Sequence, residues 1–232
     1  MVLLFFCRNF TGNMIKNRLK HTHPGFFISF EGPEGAGKST QLRLLCGMLE
    51  REGRRCVATR EPGGTPLAEQ LREIVKNFSG PEKLHPTTEL LLLEAARSQH
   101  VREVIRPALA AGCVVLCDRF FDSTSAYQGG ARGLGSAVID ELNGLAAAEC
   151  IPDLTILLDL SPEAGFRRTA EREETRGLHD RFEEEKLDFH RRVREAFLKI
   201  AAAEPERVRV VDADRAPELV HAEIGKIVHE AL

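Results

Sequence analysis

The sequence predicts an α/β domain whose core is a five-stranded parallel sheet with helices on both faces. Three observations lead there. Runs of strand length alternate with longer stretches of helical periodicity along 25–232. Those runs are apolar throughout instead of alternating, as strands covered on both faces are. A glycine-rich segment, Gly32-Pro33-Glu34-Gly35-Ala36-Gly37-Lys38-Ser39-Thr40, stands between the first run and the first helix.

Phe26 to Phe30 is the first strand. The segment after it matches G-x-x-x-x-G-K-[ST]. In that pattern glycines let the backbone curl until several N–H groups face inward, and the following helix brings its positive dipole end to the same point. Lys38 adds a full charge, and the Ser39 hydroxyl is placed to ligate Mg²⁺ between the outer phosphates, so the segment reads as a polyphosphate cradle. The plainer alternative is a glycine turn that binds nothing; the strand-loop-helix context weighs against it. Gln41 to Glu50 has helical spacing, Arg54 to Thr59 reads as the second strand, and Arg60 to Thr65 as a turn rich in breakers. Leu67 to Phe78 is amphipathic, with Leu67, Leu71, Ile74 and Val75 on one face and Arg72 off it. Pro81 and Pro86 bracket a linker, Thr87 or Thr88 caps a helix from Glu89 to about Leu109, and Gly112 ends it. Val114 to Asp118 is a third strand that ends in a carboxylate. A glycine-rich connection, Gln128 to Gly135, precedes a helix near Ala137 to Ala148. Leu154 to Asp159 is the fourth strand, and Ser161 or Pro162 opens a charged helix through about Arg176. Asp188 to Ala203 is helical, Val208 to Asp212 is the last strand, and Pro217 to Leu232 closes the chain as a helix.

A length of 232 residues suits one domain with a sizeable core. With no Trp and one Tyr, that core rests on Leu, Val, Ile, Ala and Phe. Lys plus Arg (32) nearly balance Asp plus Glu (35), which gives no basic surface for nucleic acid or membrane. Six cysteines, at 7, 46, 56, 113, 117 and 150, show neither a C-x-x-C nor a His at metal spacing. Reduced thiols in a cytoplasmic protein are the reading preferred to a disulfide framework. Residues 1–24 stand apart: Val2 to Cys7 is apolar but too short to span a bilayer, and no small-residue cleavage site follows the basic stretch. They are expected to be a disordered or start-site extension ahead of a domain over 25–232, with a signal or organellar sequence as the lesser alternative.

Several classes of protein use such a loop. The N-K-x-D sequence with which switch GTPases read guanine is absent. Asp118 fits the carboxylate on a neighbouring strand that helps hold Mg²⁺, directly or through water, and Asp159 has the same local look. Arg72, Arg97 and Arg119 follow different strands at the sheet end where α/β ligands bind, and their shared setting points to a second phosphorylated substrate.

The segments Phe30-Glu31-Gly32, Thr59-Arg60-Glu61-Pro62-Gly63-Gly64-Thr65, Ala95-Ala96-Arg97-Ser98-Gln99-His100, Asp118-Arg119-Phe120, Ser123 to Gly129 and Pro152-Asp153-Leu154-Thr155 together resemble bacterial thymidylate kinases, in the family's order. The resemblance implies a P-loop nucleoside monophosphate kinase fold with a short LID over about 163–183, a homodimer, and Mg²⁺-dependent transfer of the ATP γ-phosphoryl group to dTMP. Carried onto this chain, it makes Arg72 and Arg119 ligands of the dTMP phosphate and Arg97 the group that hydrogen-bonds thymine. Gln128 and Ser123 or Thr124 line the base pocket, and Tyr127 lies under the deoxyribose. Glu31 is the acidic residue near the 3′-hydroxyl and acceptor phosphate, and Glu61 belongs to the adjoining loop. Leu93 stands where family members often carry a Phe that stacks on thymine, which keeps open another deoxynucleoside monophosphate as acceptor. Pro33, Glu34, Gly35 and Ala36 include no basic residue, which resembles the subtype whose catalytic arginine comes from the LID; Arg176 matches it best, ahead of Arg172. Glu163 to Arg176 also reads, without any family, as a solvated helix laced with acid-base pairs. A non-catalytic ATP-binding protein is the alternative from another class, and it has no use for the acceptor arginines.

Overall fold

The computed structural model describes residues 23–171, 181–182 and 185–232. The expected extension therefore falls almost wholly outside the described residues, as do Arg172, Arg176 and about half of the expected LID. Strands β1 (Phe26–Glu31), β2 (Cys56–Arg60), β3 (Val114–Asp118), β4 (Leu154–Asp159) and β5 (Val208–Asp212) form one sheet in the order β2-β3-β1-β4-β5. Every neighbouring pair is parallel. The five expected strands are all present, β2 lying slightly later than its apolar run had indicated.

Successive side chains of β1 point to opposite faces. Ile28 and Phe30 pack with Leu45 and Leu49 of α1 (Lys38–Arg51) and with Ile224 and Val228 of α9 (Pro217–Ala231). Phe27 packs on the other side with Ile105, Leu109 and Phe120. Burying β1 on both faces is what makes the run apolar throughout, and it fixes the loop after β1 at the middle of the sheet. From β1 the chain moves out to β2, returns to β3 and then crosses β1 to reach β4. The C-terminal ends of β1, β3 and β4 thus border a crevice at the topological switch, where ligands of open α/β sheets bind.

Several elements differ from the expected pattern or extend it. In α2 (Pro66–Asn77) the buried face carries Ala68 and Val75, whereas Leu67 and Ile74 are exposed. The single long helix expected from Glu89 to Leu109 is α3 (Pro86–His100), a π-helical turn (Val101–Ile105) and α4 (Arg106–Ala110). Pro107, which lacks an N–H and crowds the preceding turn, gives that change of register its physical reason. The glycine-rich connection begins as helix: α5 (Phe121–Thr124) continues into a π-helical turn (Ser125–Ala131), before α6 (Ser136–Ala147). Helix α7 (Pro162–Ala170) is capped by the Ser161 side chain, the expected stretch from Arg172 to Arg176 lies outside the described residues, and α8 (Leu187–Ala203) is the next helix among them. Its Phe189, Val193 and Phe197 pack with Tyr127 of the π-helical turn in a third cluster. Among the described residues, Cys46, Cys56, Cys113, Cys117 and Cys150 are free thiols.

Candidate active site

The loop after β1 is shaped by close approach. Gly32 has φ 137°, and a Cβ there would collide with the Leu158 carbonyl of β4. Gly35 has φ 74°, and a Cβ there would stand 2.5 Å from the Gly165 carbonyl of α7. The loop is therefore held against the sheet on one side and against α7 on the other. Gly37 caps α1, and Ala36 is buried in the core beneath the loop. Lys38 folds back over the loop, its Nζ donating to the carbonyls of Gly32 (3.1 Å) and Pro33 (2.8 Å). Burial, with the charge of Arg119 nearby, lowers its pKa to about 8. The Ser39 hydroxyl donates to Asp118 Oδ2 at 2.5 Å. That pair sets two hard oxygen ligands side by side at the mouth of the loop, a donor set that fits Mg²⁺. Asp159 differs: Arg194 holds both its oxygens at 2.7 and 2.8 Å, so its carboxylate is taken structurally.

A cavity of about 320 Å³ opens from this loop across the ends of β2 and β3. Glu34, Gly35 and Gly37 to Thr40 line its loop side, with Asp118 and Arg119 beside them. Glu61, Arg72, Leu93 and Arg97 line a second wall, and Ser123, Tyr127 and Gln128 a third. Most of the residues expected from the sequence thus meet in one space; Gly32, Pro33 and Ala36 belong to the loop but do not line that space. Arg119 has φ 69°, unusual for a residue with a side chain. Its guanidinium donates to the Gly32 carbonyl (3.1 Å), Ser123 Oγ (3.1 Å), Glu34 Oε1 (2.6 Å) and the Tyr127 hydroxyl (3.2 Å). Burial by itself would raise the Glu34 carboxyl, but Arg119 and Lys38 outweigh it and lower the pKa to about 2. The loop after β1 and the segment after β3 are therefore joined by an ion pair.

Glu31 occupies a different place from the one its motif implied. It is fully buried and does not line the cavity: one oxygen accepts from the Phe120 N–H (2.7 Å) and the other from Ser123 Oγ (2.6 Å). Burial, reinforced by Asp122, raises its pKa to about 8. Glu61 likewise serves its neighbours, accepting from Arg97 Nε (2.8 Å) and facing His100 Nδ1 (3.0 Å). Arg72 donates to the Pro62 carbonyl at 2.8 Å.

Arg97 is clamped from four sides. Besides Glu61 it donates through Nη1 to Glu94 (2.6 Å) and Asn143 (2.9 Å), and through Nη2 to Thr124 (2.9 Å). Glu94 and Asn143 were not singled out from the sequence, although the three-residue step from Glu94 to Arg97 on one helix is a legible pairing signal. Phe182, Lys76 and Arg60 also line the cavity and had no site role assigned from the sequence, because their approach depends on the tertiary fold.

Residues 30–224 match the family model for thymidylate kinase. The chain belongs to the thymidylate kinase family. It is 50% identical over 204 residues to the thymidylate kinase of Magnetococcus marinus, spanning 88% of this chain and 95% of that one. Against the thymidylate kinase of Pseudomonas fluorescens it is 54% identical over 199 residues, 86% of this chain and 91% of the other. The crystal structure of thymidylate kinase from Ehrlichia chaffeensis superposes with a TM-score of 0.70 at 34% identity, covering 88% of this chain and 98% of that one. The α/β architecture is therefore that of a P-loop nucleoside monophosphate kinase. Within this thymidylate kinase-family chain, the cavity arginines Arg60, Arg72, Arg97 and Arg119 are all engaged by protein carboxylates, hydroxyls or carbonyls.

Proposed function

We propose that the cavity transfers the γ-phosphoryl group of ATP to the phosphate of dTMP, giving dTDP and ADP. The observation that carries this is the meeting of two anion-reading walls in one cavity, the loop with Lys38 on one side and Arg72 with Arg119 on the other. A binder of ATP alone would need only the first.

In the reaction an oxygen of the dTMP phosphate forms a bond to Pγ while the bond from Pγ to the β,γ-bridging oxygen breaks, and the electron pair leaves on ADP. The acceptor is already an anion near neutral pH, so no strong base is required; the barrier lies in bringing two anions together and in the charge on the transferring group. Residues Gly32 to Thr40 present N–H groups to the donor phosphates, and Lys38 exchanges its carbonyl partners for them. Ser39 and Asp118 would hold Mg²⁺, which when bound neutralises phosphate charge. Arg119 turns from Glu34 to the acceptor phosphate, with Arg72 beside it. Arg176, or Arg172 four residues earlier, would add a charge from the LID; both lie outside the described residues. Glu31 acts through Ser123 and the Phe120 backbone, fixing the wall on which Arg119 rests, and Glu34 is the carboxylate facing the acceptor.

Base recognition follows from a donor count. A guanidinium has five N–H donors, and Arg97 spends four of them on protein groups, leaving one on Nη2 for a ring carbonyl such as thymine O4. Tyr127 closes the sugar side, and Leu93 offers an aliphatic contact to the ring.

Exposed apolar residues on α2 (Leu67, Ile74), α3 (Leu91) and α6 (Val138, Leu145) support a homodimer built on these adjacent helices. Among the described residues no helix is long and apolar enough to cross a membrane, and a cytoplasmic setting accords with the free thiols. The test is chromatographic: purified protein with ATP, Mg²⁺ and dTMP should form dTDP and ADP in equal amounts. ADP without dTDP would contradict the proposal.

A further inference from the structure

We infer that Glu89 is a positioning residue that sets base selectivity, by fixing the Gln128 amide with its carbonyl oxygen available to the bound nucleobase. Glu89 lies in the first turn of α3 and is fully buried. Its Oε1 accepts from Gln128 Nε2 (2.9 Å) and Arg132 Nε (2.7 Å), and its Oε2 from Arg132 Nη2 (3.1 Å) and Arg181 Nη2 (2.8 Å). Two guanidiniums thus offset the burial of one carboxylate. An ionised carboxylate only accepts hydrogen bonds, whereas a primary amide both donates and accepts. Turning the Gln128 amide over would set its oxygen against Glu89 Oε1 at the distance now spanned by a hydrogen bond, two acceptors face to face in a buried place. Glu89 therefore decides which end of the amide looks the other way.

That other end is Gln128 Oε1, which accepts no hydrogen bond from any described residue, and Gln128 lines the cavity. The remaining Nη2–H of Arg97 belongs to the same space. One donor and one acceptor consequently face the ligand from α3 and from the π-helical turn. A base edge that sets a carbonyl beside a ring N–H, as O4 and N3–H of thymine do, complements this pair. Cytosine presents the reverse, an amino group beside an unprotonated ring nitrogen, and would meet donor with donor and acceptor with acceptor. The assignment rests on the dTMP reading above and adds to it the source of discrimination.

In the test, kcat and KM are measured for dTMP, dCMP and ATP on the full chain. Glu89→Gln lets the facing amide offer either end, so Gln128 is no longer held. The ratio of kcat/KM for dTMP to that for dCMP should fall by at least about tenfold, mainly through KM for dTMP, with KM for ATP within about twofold. A purely structural role would weaken both monophosphates alike and leave the ratio unmoved, which would overturn the assignment. Glu89 also neutralises Arg132 and Arg181, so Gln128→Met, similar in volume and lacking the amide, supplies an independent arm. It should lose the same discrimination, and the double variant should discriminate no worse than Gln128→Met alone. An unmoved ratio in Gln128→Met, or additive losses in the double variant, overturns the assignment. Wild-type protein that binds ATP yet fails to phosphorylate dTMP would remove the dTMP reading and this inference with it. Wild-type turnover of dTMP with an unmoved ratio would remove this inference only.

Discussion

Lys38 and Arg119 show how single side chains are held ready for anions. Before any phosphate arrives, Lys38 is buried against two carbonyls beside Arg119, and its pKa falls from 10.5 to about 8. A polyphosphate favours the protonated amine, so binding near that pH takes up a proton and affinity is greatest below it. Above about 8 the apparent Kd for ATP should rise, by up to about tenfold per pH unit until the pKa of the complex is reached. Calorimetry in buffers of different ionisation enthalpy reads the proton uptake directly, and a pH-independent Kd would contradict it. Lys38→Ala and Arg119→Ala should each lower kcat by about a hundredfold or more. The circular dichroism spectrum of both should stay native, because the partners lost are loop carbonyls, two hydroxyls and one partly exposed carboxylate. The loop residues and the arginines were legible in the sequence because their chemistry is local: a spacing, or a charge beside a strand end. The bracing position of Glu31 was not legible, since a carboxylate that lines a site, as Glu61 does, and one that braces it from behind read alike until burial is known.

At the scale of elements, the loop and α7 are locked through glycines. Gly165 lies inside α7, and a Cβ there would collide with the Glu34 carbonyl. By intrinsic propensity Gly165→Ala should stabilise the helix by about 1 kcal/mol. The collision is with backbone, so the expected result is the opposite: a lower Tm and a several-fold rise in KM for ATP, on the order of 1 kcal/mol in each. A higher Tm with unchanged KM would show that the loop yields freely. A second lock lies under α5, where buried Arg207 holds both oxygens of Asp122 at 2.7 and 2.8 Å. Arg207→Met leaves that carboxylate uncompensated and should cost about 3–5 kcal/mol in urea unfolding. The strands and most helices were legible because apolar runs and caps are local signals. The helix from Phe121 to Ala131 was hidden by Ser, Thr and Gly, residues that favour turns, and exists because Tyr127 and Ala126 pack on α8. Likewise periodicity placed Leu67 and Ile74 of α2 with its buried residues, yet both face outward.

Over the whole molecule, those outward apolar residues on α2, α3 and α6 form the surface that a homodimer would cover. Leu145 is the most exposed of them, at 72%. Leu91→Glu with Leu145→Glu should convert a dimer to a monomer in light scattering, while a wild type that is monomeric at micromolar concentration would contradict the dimer. The two walls proposed to read phosphate and the arginine proposed to read the base lie within a single chain, so the central claim concerns one cavity with one acceptor. It is tested most directly by ADP release with ATP and Mg²⁺, offering dTMP, dUMP, dCMP, dGMP and dAMP separately to wild type and Arg97→Ala. The account predicts turnover chiefly with dTMP, lowered about a hundredfold in kcat/KM when Arg97 is removed. Turnover led by another monophosphate, or an Arg97→Ala enzyme as selective as wild type, would contradict it.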